Sequence, residues 1–562
     1  MVIRPGAALV RFRAFLRRHR ALAAVLCAAV ALRVVTEIGY RWAIWFNDSF
    51  DYVALALHPR PDPVRSGGYP LLLWLLRPFH SMALVTAVQH LLALGAAVLL
   101  YALLRRRFGL PGWGAALAVV PLLLDAYQIQ LEQLLLGDTL AEFLLVAAAV
   151  VLLWWLPEGR RARSDQPGGA DQPGQSGQSD RSGRSGRSVR PARPARSARR
   201  RLSARRAVPA AGAAGLLFAA AALTRAVALP LAVVGLGYLL IARAGWRVIT
   251  AAAVAAVAPL AGYALWFHSA HGTYALDSAD GVFLWARTAA FAECGKIHPP
   301  PSEAWLCPRL PPDRRAASSS QVWKPDSPLD WGRGQVFSAA ENATARRFAL
   351  RAIAAQPGDY ARTVVASAGR TFGWSRAPYP TAYTAHLYTF SGTRARLPSW
   401  PVTVEAGTGK AVTTTQAVAR SYAGGDPATG IVRPYSTVMR GYQRYAYLRG
   451  TLLGIIMLTT PVALAAALSR DRRRARGGTR PGGDRRLSGP AWFYWAIAVT
   501  LIVIPPMTVD FDYRYVLPAV PFGCTAAALA LGRFLAGPAR RSPGSPATDT
   551  IQAVPELTIT DD

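Results

Sequence analysis

The chain has 562 residues, of which 52% are hydrophobic, and its mean hydropathy is +0.20. Its formal net charge is +33, carried almost entirely by arginine. Such a charge suits nucleic-acid binding only when it forms folded basic faces, whereas these arginines stand in short clusters between long apolar runs, as in polytopic membrane proteins. The composition therefore excludes an ordinary soluble enzyme, and we expect no nucleic-acid partner.

The apolar runs predict the membrane spans. A bilayer core is about 30 Å thick, so a spanning helix needs roughly 20 apolar residues. The sequence predicts an all-α polytopic membrane protein whose first span is retained and not cleaved as a signal peptide. About ten segments qualify, and they lie near 21–41, 83–104, 112–126, 137–156, 208–224, 226–242, 248–268, 448–469, 491–508 and 516–536.

The arginine clusters predict the orientation of these spans. Basic segments precede the first span, follow the second, fourth, eighth and tenth, and separate the sixth from the seventh. If the spans alternate in direction, all these clusters lie on one side, which the positive-inside rule makes cytoplasmic. We therefore predict a multi-pass protein of the cell membrane with both termini in the cytoplasm and with loops 42–82 and 269–447 outside.

Composition divides the chain into six regions. The segment at 158–207 is rich in Gly, Ser, Pro and Arg, which predicts disorder, and so does the tail. The long outer loop has helical patterns near 341–355 and 358–372 and is expected to form a mixed domain over the site. The regions are a transmembrane module with an acidic first outer loop at 1–157, a cytoplasmic linker at 158–207, transmembrane helices at 208–268, the outer-loop domain at 269–447, transmembrane helices at 448–537 and a cytoplasmic tail at 538–562.

The outer-loop domain contains two of the four cysteines, Cys294 and Cys307. They can pair if this loop faces an oxidising compartment, which the predicted orientation provides. Cys27 and Cys524 lie inside apolar spans, where we expect buried thiols.

The stretch "WFNDSFDY" places two carboxylates, Asp48 and Asp51, just after the first span. Apolar residues from Phe50 onward recur with helical spacing, so the acids lie at the start of an amphipathic helix. A carboxylate in the first turn is favoured by the helix dipole. One interpretation of Asp48 is therefore purely structural; the other is that it belongs to a site.

Further polar residues occur at the outer ends of other spans. Ionisable groups at membrane depth cost roughly 2.5–3.5 kcal/mol at a helix centre and therefore suggest a site. Arginine forks suit phosphate oxygens, although a single arginine at the interface also snorkels. The candidates are Tyr69, Glu132, Asp138, Arg225, Tyr513 and Arg514.

As an ordered set, these segments resemble the GT-C superfamily of integral-membrane glycosyltransferases. They are most similar to its polyprenyl-phosphate-sugar-dependent group, which includes protein O-mannosyltransferases and aminoarabinose transferases, and to actinobacterial members. The resemblance covers the whole topology and includes an acidic motif followed by an aromatic residue, here Asp48-Ser49-Phe50-Asp51-Tyr52. Ser49 stands where the family motif has a second acid. The stretches "LEQLLLGDTLAEFLL", "ALTRAVALP" and "YRYVLPAVPF" are also similar to segments of bacterial members.

The resemblance implies a hexosyl- or pentosyltransferase that moves a sugar from a polyprenyl-phosphate donor to a hydroxyl of a glycan, protein or lipid outside the membrane. Asp48 would be the base of an inverting displacement, and Arg225 and Arg514 would offset charge on the departing phosphate. No cofactor is required by this chemistry, and a divalent metal ion is an open alternative. The remaining substrate-binding candidates are Asp51, Tyr52, Tyr69 and Tyr513 for orientation, and Glu132 and Asp138 for sugar hydroxyls or a metal ion.

Two other functions fit a polytopic chain. A transporter or flippase of a lipid-linked or polar substrate would show repeated halves and polar groups at the middle of its helices. No internal repeat is visible, and the polar residues gather at one face. A sugar polymerase or ligase not built around Asp48 is the third hypothesis.

Overall fold

The computed structural model describes residues 19–156, 194–323, 327–329, 337–394, 396–406, 409–477 and 485–535. Over these residues the chain is a helical polytopic membrane protein. The predicted tail at 538–562 and the predicted linker up to residue 193 lie outside the described residues. A long helix, Pro194–Thr224, begins inside the segment that was expected to be a linker throughout.

The first half of the chain supplies most of the membrane helices. They are α1 (Arg20–Gly39), α4 (Met82–Ala102, extended by a π-helical turn at Leu103–Arg107), α5 (Gly112–Leu124), α6 (Ala126–Gln133), α7 (Asp138–Trp155), α8 (Pro194–Thr224), α9 (Leu229–Ile241, preceded by a 3-10 turn at Ala226–Ala228) and α10 (Trp246–His271). Most of them are built from a long apolar run, and α6, with the sequence AYQIQLEQ, is the most polar. Two interfacial helices, α2 (Asn47–Leu57) and α3 (Gly68–Leu76), lie between α1 and α4, with a 3-10 turn at Arg77–Phe79.

The last part of the chain adds α19 (Gly450–Arg476), a 3-10 turn at Arg485–Leu487, α20 (Ser488–Thr508), α21 (Tyr513–Val516), a 3-10 turn at Leu517–Ala519 and α22 (Val520–Leu535). Among the described residues, eight helical segments are long and apolar enough to cross a membrane. The bent pair α5–α6 makes a ninth, and the short segment Ala226–Ile241 is the last of the predicted ten. The predicted positions thus recur, but two of the expected spans are bent or short.

The bend between α5 and α6 is 52° and has a local cause. Asp125 leaves helical geometry, and its carboxylate accepts hydrogen bonds from the backbone N–H groups of Tyr127 at 2.8 Å and Gln128 at 3.4 Å. The aspartate therefore ends one helix and caps the next.

Several arginines at the ends of the helices lie at one end of the bundle. At that end, Arg107 donates to the carbonyl of Leu156 at 3.0 Å, Arg206 stacks on Trp155, and Arg533 pairs with Asp471 at 3.2 Å. The described arginine-rich helix ends therefore gather on one side, as alternating spans require. The outer-loop elements lie at the opposite end.

The outer loop forms two parts. The first has a core of Trp285, Phe348 and their apolar neighbours, and a disulfide joins Cys294 to Cys307. Its elements are α11 (Asp280–Thr288), α12 (Cys294–Ile297), α13 (Ser318–Trp323), α14 (Ala339–Ala355) and α15 (Pro357–Gly369), with 3-10 turns at Ala304–Leu306, Pro312–Arg314 and Arg370–Phe372.

The second part of the outer loop packs against the first outer loop, residues 42–82, and the end of α1. A short strand β1 (Tyr40–Arg41) pairs antiparallel with β4 (Gly430–Ile431), with Tyr40 opposite Ile431. Tyr422 donates to the carbonyl of Leu73 at 2.7 Å, which packs this part on α3. Its other elements are α16 (Ala382–Leu387), an antiparallel hairpin of β2 (Pro401–Ala406) and β3 (Gly409–Thr414), α17 (Thr415–Ala423) and α18 (Tyr435–Tyr445).

Candidate active site

Asp48 lies at the centre of a group of charged residues drawn from distant parts of the chain. It is in the first turn of α2 and is 8% exposed. Its Oδ1 accepts a hydrogen bond from Nη2 of Arg65 at 2.7 Å, and its Oδ2 accepts one from Nη1 of Arg514 at 2.8 Å. Each carboxylate oxygen is thus held by a different guanidinium, one from the same loop and one from the last membrane helix segment.

Arg65 is the site residue that sequence reasoning missed. Its Nε donates to Oδ2 of Asp51 at 3.1 Å, so one guanidinium bridges two acids that lie three residues apart on α2. Asp62 positions it by accepting hydrogen bonds from the backbone N–H groups of Val64 and Arg65, both at 2.9 Å. The only local signal is this Asp-Pro-Val-Arg turn, which looks like any polar loop in the sequence.

Two of the predicted arginines flank a single aromatic ring. The guanidinium carbon of Arg225 lies 5.1 Å from the centre of the Tyr515 ring, and that of Arg514 lies 5.2 Å from it. Arg225 also pairs with Asp138 at 2.6 Å. Three elements therefore meet beside Asp48: the non-helical joint between α8 and α9, the start of α7 and the start of α21.

The outer loop fixes the position of Arg514. Asp512 caps α21 by accepting from the backbone N–H of Arg514 at 3.2 Å, and its other oxygen accepts from the Tyr388 hydroxyl at 2.7 Å. Tyr388 in turn stacks on Phe46, which directly precedes α2. The outer loop thus contacts both the helix that carries Asp48 and the turn that carries Arg514.

A crevice opens next to Arg225 and is apolar along most of its wall. It offers both apolar surface and polar side chains. Its polar lining residues are Asp138, Glu142, Arg225 and Tyr515, and its apolar ones include Ala141, Leu145, Val227, Leu501 and Pro505.

The two acids of α2 differ in their electrostatics. Burial alone would raise the pKa of Asp48, but the charges of Arg65 and Arg514 more than offset it, and the pKa falls to about 2. Burial, partly opposed by Arg65 and reinforced by Asp62 and Asp48, raises the pKa of Asp51 to about 6. Solvent reaches 47% of the Asp51 side chain, so water screens part of this effect.

Two predicted tyrosines support the site from behind. The Tyr52 ring meets the Tyr69 ring edge to face, with centroids 5.1 Å apart, and the guanidinium of Arg65 lies 5.9 Å from the Tyr52 ring. Tyr69 is fully buried, and its hydroxyl donates to Gln89 at 2.8 Å. Tyr52 therefore borders the charged group, whereas Tyr69 holds Tyr52 in place and has no free hydroxyl proton.

Two other predicted residues lie elsewhere. Glu132 is fully buried, and its carboxylate accepts from Arg33 at 2.7 and 2.8 Å and contacts His90 at 2.7 Å. Tyr513 donates to the carbonyl of Ala377 at 2.9 Å. Neither joins the group around Asp48: Glu132 lies on α6 and is held by Arg33 and His90, and Tyr513 points to the outer loop.

Whether Ser49 and the neighbouring carboxylate of Asp48 can hold a metal ion depends on the contacts that they already make. The Ser49 hydroxyl donates to the carbonyl of Leu135 at 3.0 Å and accepts from the backbone N–H of Phe46 at 2.9 Å, so it stabilises the start of α2. Within the described ranges, no group of three or more His, Cys, Asp or Glu side chains is placed to hold a metal ion. Both oxygens of Asp48 are taken by guanidiniums, and these residues do not fit a metal site.

Comparisons with known proteins give no close relative. No protein-family model matches the chain, and no curated protein matches it in sequence. Among solved structures, it is similar to the Archaeoglobus fulgidus oligosaccharyltransferase in the apo form, at 13% identity and a TM-score of 0.38. It is also similar to the oligosaccharyltransferase AglB of that organism in complex with an inhibitory peptide and a dolichol-phosphate, at 12% identity and a TM-score of 0.38. Each match covers 92% of this chain but only 50% of the solved one. The chain thus spans about half the length of these proteins, and at this similarity no function follows.

Proposed function

We propose that the chain is a membrane-bound glycosyltransferase. It moves a sugar from a polyprenyl-phosphate donor to a hydroxyl of a glycan, protein or lipid on the extracytoplasmic side. The observation that supports this most is the meeting of Asp48 with Arg65 and Arg514 beside the crevice at Arg225. A lipid-linked sugar phosphate needs an apolar surface, cations for its phosphate and a carboxylate near the sugar, and this region offers all three.

Arg225 and Arg514 are the phosphate-binding groups in this mechanism. They lie about equally far from one tyrosine ring, close enough for a cation–π contact of each guanidinium with it. Arginine forks bind phosphate oxygens through paired N–H donors. As the bond between the anomeric carbon and the phosphate oxygen breaks, both cations offset the charge left on the carrier.

Asp48 is the proposed base, and its pairing implies that carrier binding activates it. With a pKa of about 2 it is a weak proton acceptor while both guanidiniums hold it. A phosphate that draws Arg514 toward itself weakens that hold and strengthens the base. Asp48 then takes the proton of the acceptor hydroxyl as its oxygen attacks the anomeric carbon, and attack opposite the departing phosphate inverts the configuration.

Asp51 and Tyr52 complete the proposed sugar site. Asp51 lies on the same stripe of α2 as Asp48 and is open to solvent on one side. A carboxylate in this position accepts hydrogen bonds from sugar hydroxyls. The Tyr52 ring borders the same space.

The alternative is a transporter or flippase of a lipid-linked or polar substrate. The buried group of Arg33, His90 and Glu132 favours it, because charged networks inside spans are typical of transporters. The two functions are separable, since only a transferase cleaves its lipid-linked substrate.

The test uses the full-length purified protein in lipid nanodiscs with a panel of polyprenyl-phosphate sugars and simple hydroxyl acceptors. We expect release of polyprenyl phosphate with at least one donor, detected by mass spectrometry, and loss of that release in Asp48→Asn. The exposed Asp313→Asn is the matched control and should behave as wild type. Movement of an intact donor across vesicle membranes, without carrier release and unaffected by Asp48→Asn, would support the transporter.

A further inference from the structure

Glu142 is a buried carboxylic group on the wall of the crevice, and the mechanism above leaves it without a role. It is 1% exposed. Its Oε2 accepts a hydrogen bond from Nε2 of Gln128 at 2.9 Å, whereas its Oε1 has no hydrogen-bond partner within the described part of the chain. A buried polar atom without a partner is costly, so it calls for an explanation.

The position of Glu142 relates it to Arg225. It follows Asp138 by four residues on α7, which puts both side chains on one face of the helix, and both line the crevice together with Arg225. Arg225 is already paired with Asp138 at 2.6 Å, so that pair is neutral as a whole.

The charges around the crevice determine whether the Glu142 side chain is ionised or protonated. An ionised Glu142 would add an uncompensated negative charge among apolar side chains such as Leu145 and Leu501. That arrangement is costly at membrane depth, and it would repel a phosphate. An uncharged carboxylic acid avoids the cost and supplies an O–H donor.

We infer that Glu142, as an uncharged acid, donates a hydrogen bond from Oε1 to the phosphate of a polyprenyl-phosphate carrier that lies against Arg225. The inference rests on the proposed function for the identity of the ligand. The proton stays on Glu142, and no covalent step is involved. Glu142 thus provides the donor that the neutral Arg225–Asp138 pair needs in order to hold an anion.

The test measures binding of polyprenyl monophosphate to the full-length protein in nanodiscs, with the uncharged polyprenol of equal length as the second probe. Glu142→Met keeps the volume but removes the donor, and Glu142→Gln keeps a donor through its amide. We expect Glu142→Met to weaken polyprenyl phosphate binding by about tenfold, the size expected of a hydrogen bond to a charged group. Glu142→Gln should remain within a few-fold of wild type, and polyprenol binding should change in neither variant.

The matched control is Glu37→Gln. Glu37 is also a carboxyl group on a membrane helix, but it lies on α1 with its Oε1 3.8 Å from Nε2 of His90, and it does not line the crevice. It should bind both probes as wild type does. Equal losses for polyprenol and polyprenyl phosphate in Glu142→Met would overturn the inference, because Glu142 would then only shape the crevice. Unchanged binding of both probes would overturn it as well.

Different experimental results would refute the role of Glu142 and the proposed glycosyltransferase function. Carrier release by wild type, together with unchanged phosphate binding in Glu142→Met, refutes only the role of Glu142. A tenfold loss of binding in Glu142→Met, together with no carrier release from any donor, keeps the Glu142 contact and refutes the transferase.

Discussion

Two groups of charged side chains among the described residues are each built around arginine–carboxylate pairs. The outer cluster consists of Asp48, Asp51, Arg65 and Arg514. The inner cluster consists of Arg33, His90 and Glu132. Both join helices that are far apart in sequence through arginine–carboxylate pairs at 2.7–2.8 Å.

The clusters differ in how completely their polar atoms are used. In the inner cluster, Glu132 binds two partners, Arg33 also donates to the carbonyls of Ala29 at 3.1 Å and Leu123 at 2.8 Å, and His90 contacts Gln133 at 2.9 Å. The side chains of the inner cluster are at most 5% exposed.

The outer cluster is less complete. Nearly half of the Asp51 side chain is open to solvent, and Nε of Arg514 lies 3.6 Å from Oδ2 of Asp512, beyond hydrogen-bond distance. A ligand can therefore add hydrogen bonds in the outer cluster without breaking the fold, whereas the inner cluster has no unused capacity. We infer that the inner cluster serves stability and the outer one serves binding and chemistry.

The largest expected effect is on the chemistry of the outer cluster. Asp48→Asn keeps the shape of the side chain but removes its capacity to accept a proton. We expect carrier release to fall by about 10²–10⁴-fold, the range for loss of a general base. Initial rates of polyprenyl phosphate release measure it. A variant that retains more than a tenth of the wild-type rate would show that Asp48 is not the base.

Substitutions in the inner cluster should lower the stability of the protein and leave its turnover unchanged. Arg33→Met removes the arginine of a buried ion pair and leaves the Glu132 carboxylate with His90 alone; breaking a buried pair typically costs about 3–5 kcal/mol. We expect a clear drop in the thermal midpoint of the protein in nanodiscs, with carrier release per folded molecule retained. A stable but inactive Arg33→Met protein would contradict the division of roles.

A smaller effect is expected at Arg65. Lysine keeps the charge but not the fork, so Arg65→Lys cannot contact Asp48 and Asp51 together. We expect turnover to fall by about tenfold, equivalent to about 1.4 kcal/mol. Arg77→Lys is the matched control, because Arg77 is exposed and, among the described residues, donates a single hydrogen bond, to the carbonyl of Leu57 at 3.4 Å. Equal rates for the two variants would show that the bridge is unimportant.

The smallest effect is the dependence of stability on pH. The pKa of Asp51 is about 6 in the folded protein and about 3.9 in an unfolded chain, so the folded state binds more protons between these values. Stability should therefore fall slightly as pH rises from about 4 to 6, by less than about 1 kcal/mol because solvent screens this group. Asp48, with a pKa of about 2, stays ionised throughout this window.

Thermal midpoints of wild type and Asp51→Asn across that pH range check this expectation. The slope should be smaller in the variant. A slope that is equal in both proteins would show that Asp51 is not the titrating group.

The fold was largely predictable because each span is a long apolar run with arginines beyond one end. The bend at Asp125 and the short segment Ala226–Ile241 were harder to predict, because a capping aspartate or a break in a helix leaves the pattern of apolar residues almost unchanged.

Within the site, Asp48, Arg225 and Arg514 were predictable from their position at the ends of spans. Glu132 lies apart from Asp138 because residues 134–137 separate the two helices, α6 and α7, that carry them. Arg65 was missed because it reaches the carboxylates of Asp48 and Asp51 across a polar loop, a contact that no sequence pattern signals. Tyr515 stands in the stretch "YRYVLPAVPF", but its contact with Arg225 joins residues that are distant in the chain.

The central claim is that a carrier phosphate competes with Asp48 for its guanidiniums and thereby activates it. Binding of polyprenyl monophosphate to wild type and Asp48→Asn in nanodiscs, measured together with turnover, tests this directly. Because the substitution removes the competing carboxylate, we predict that Asp48→Asn binds the carrier about fivefold more tightly, on the order of 1 kcal/mol, while its turnover is lost. Equal or weaker carrier binding in Asp48→Asn would contradict the claim.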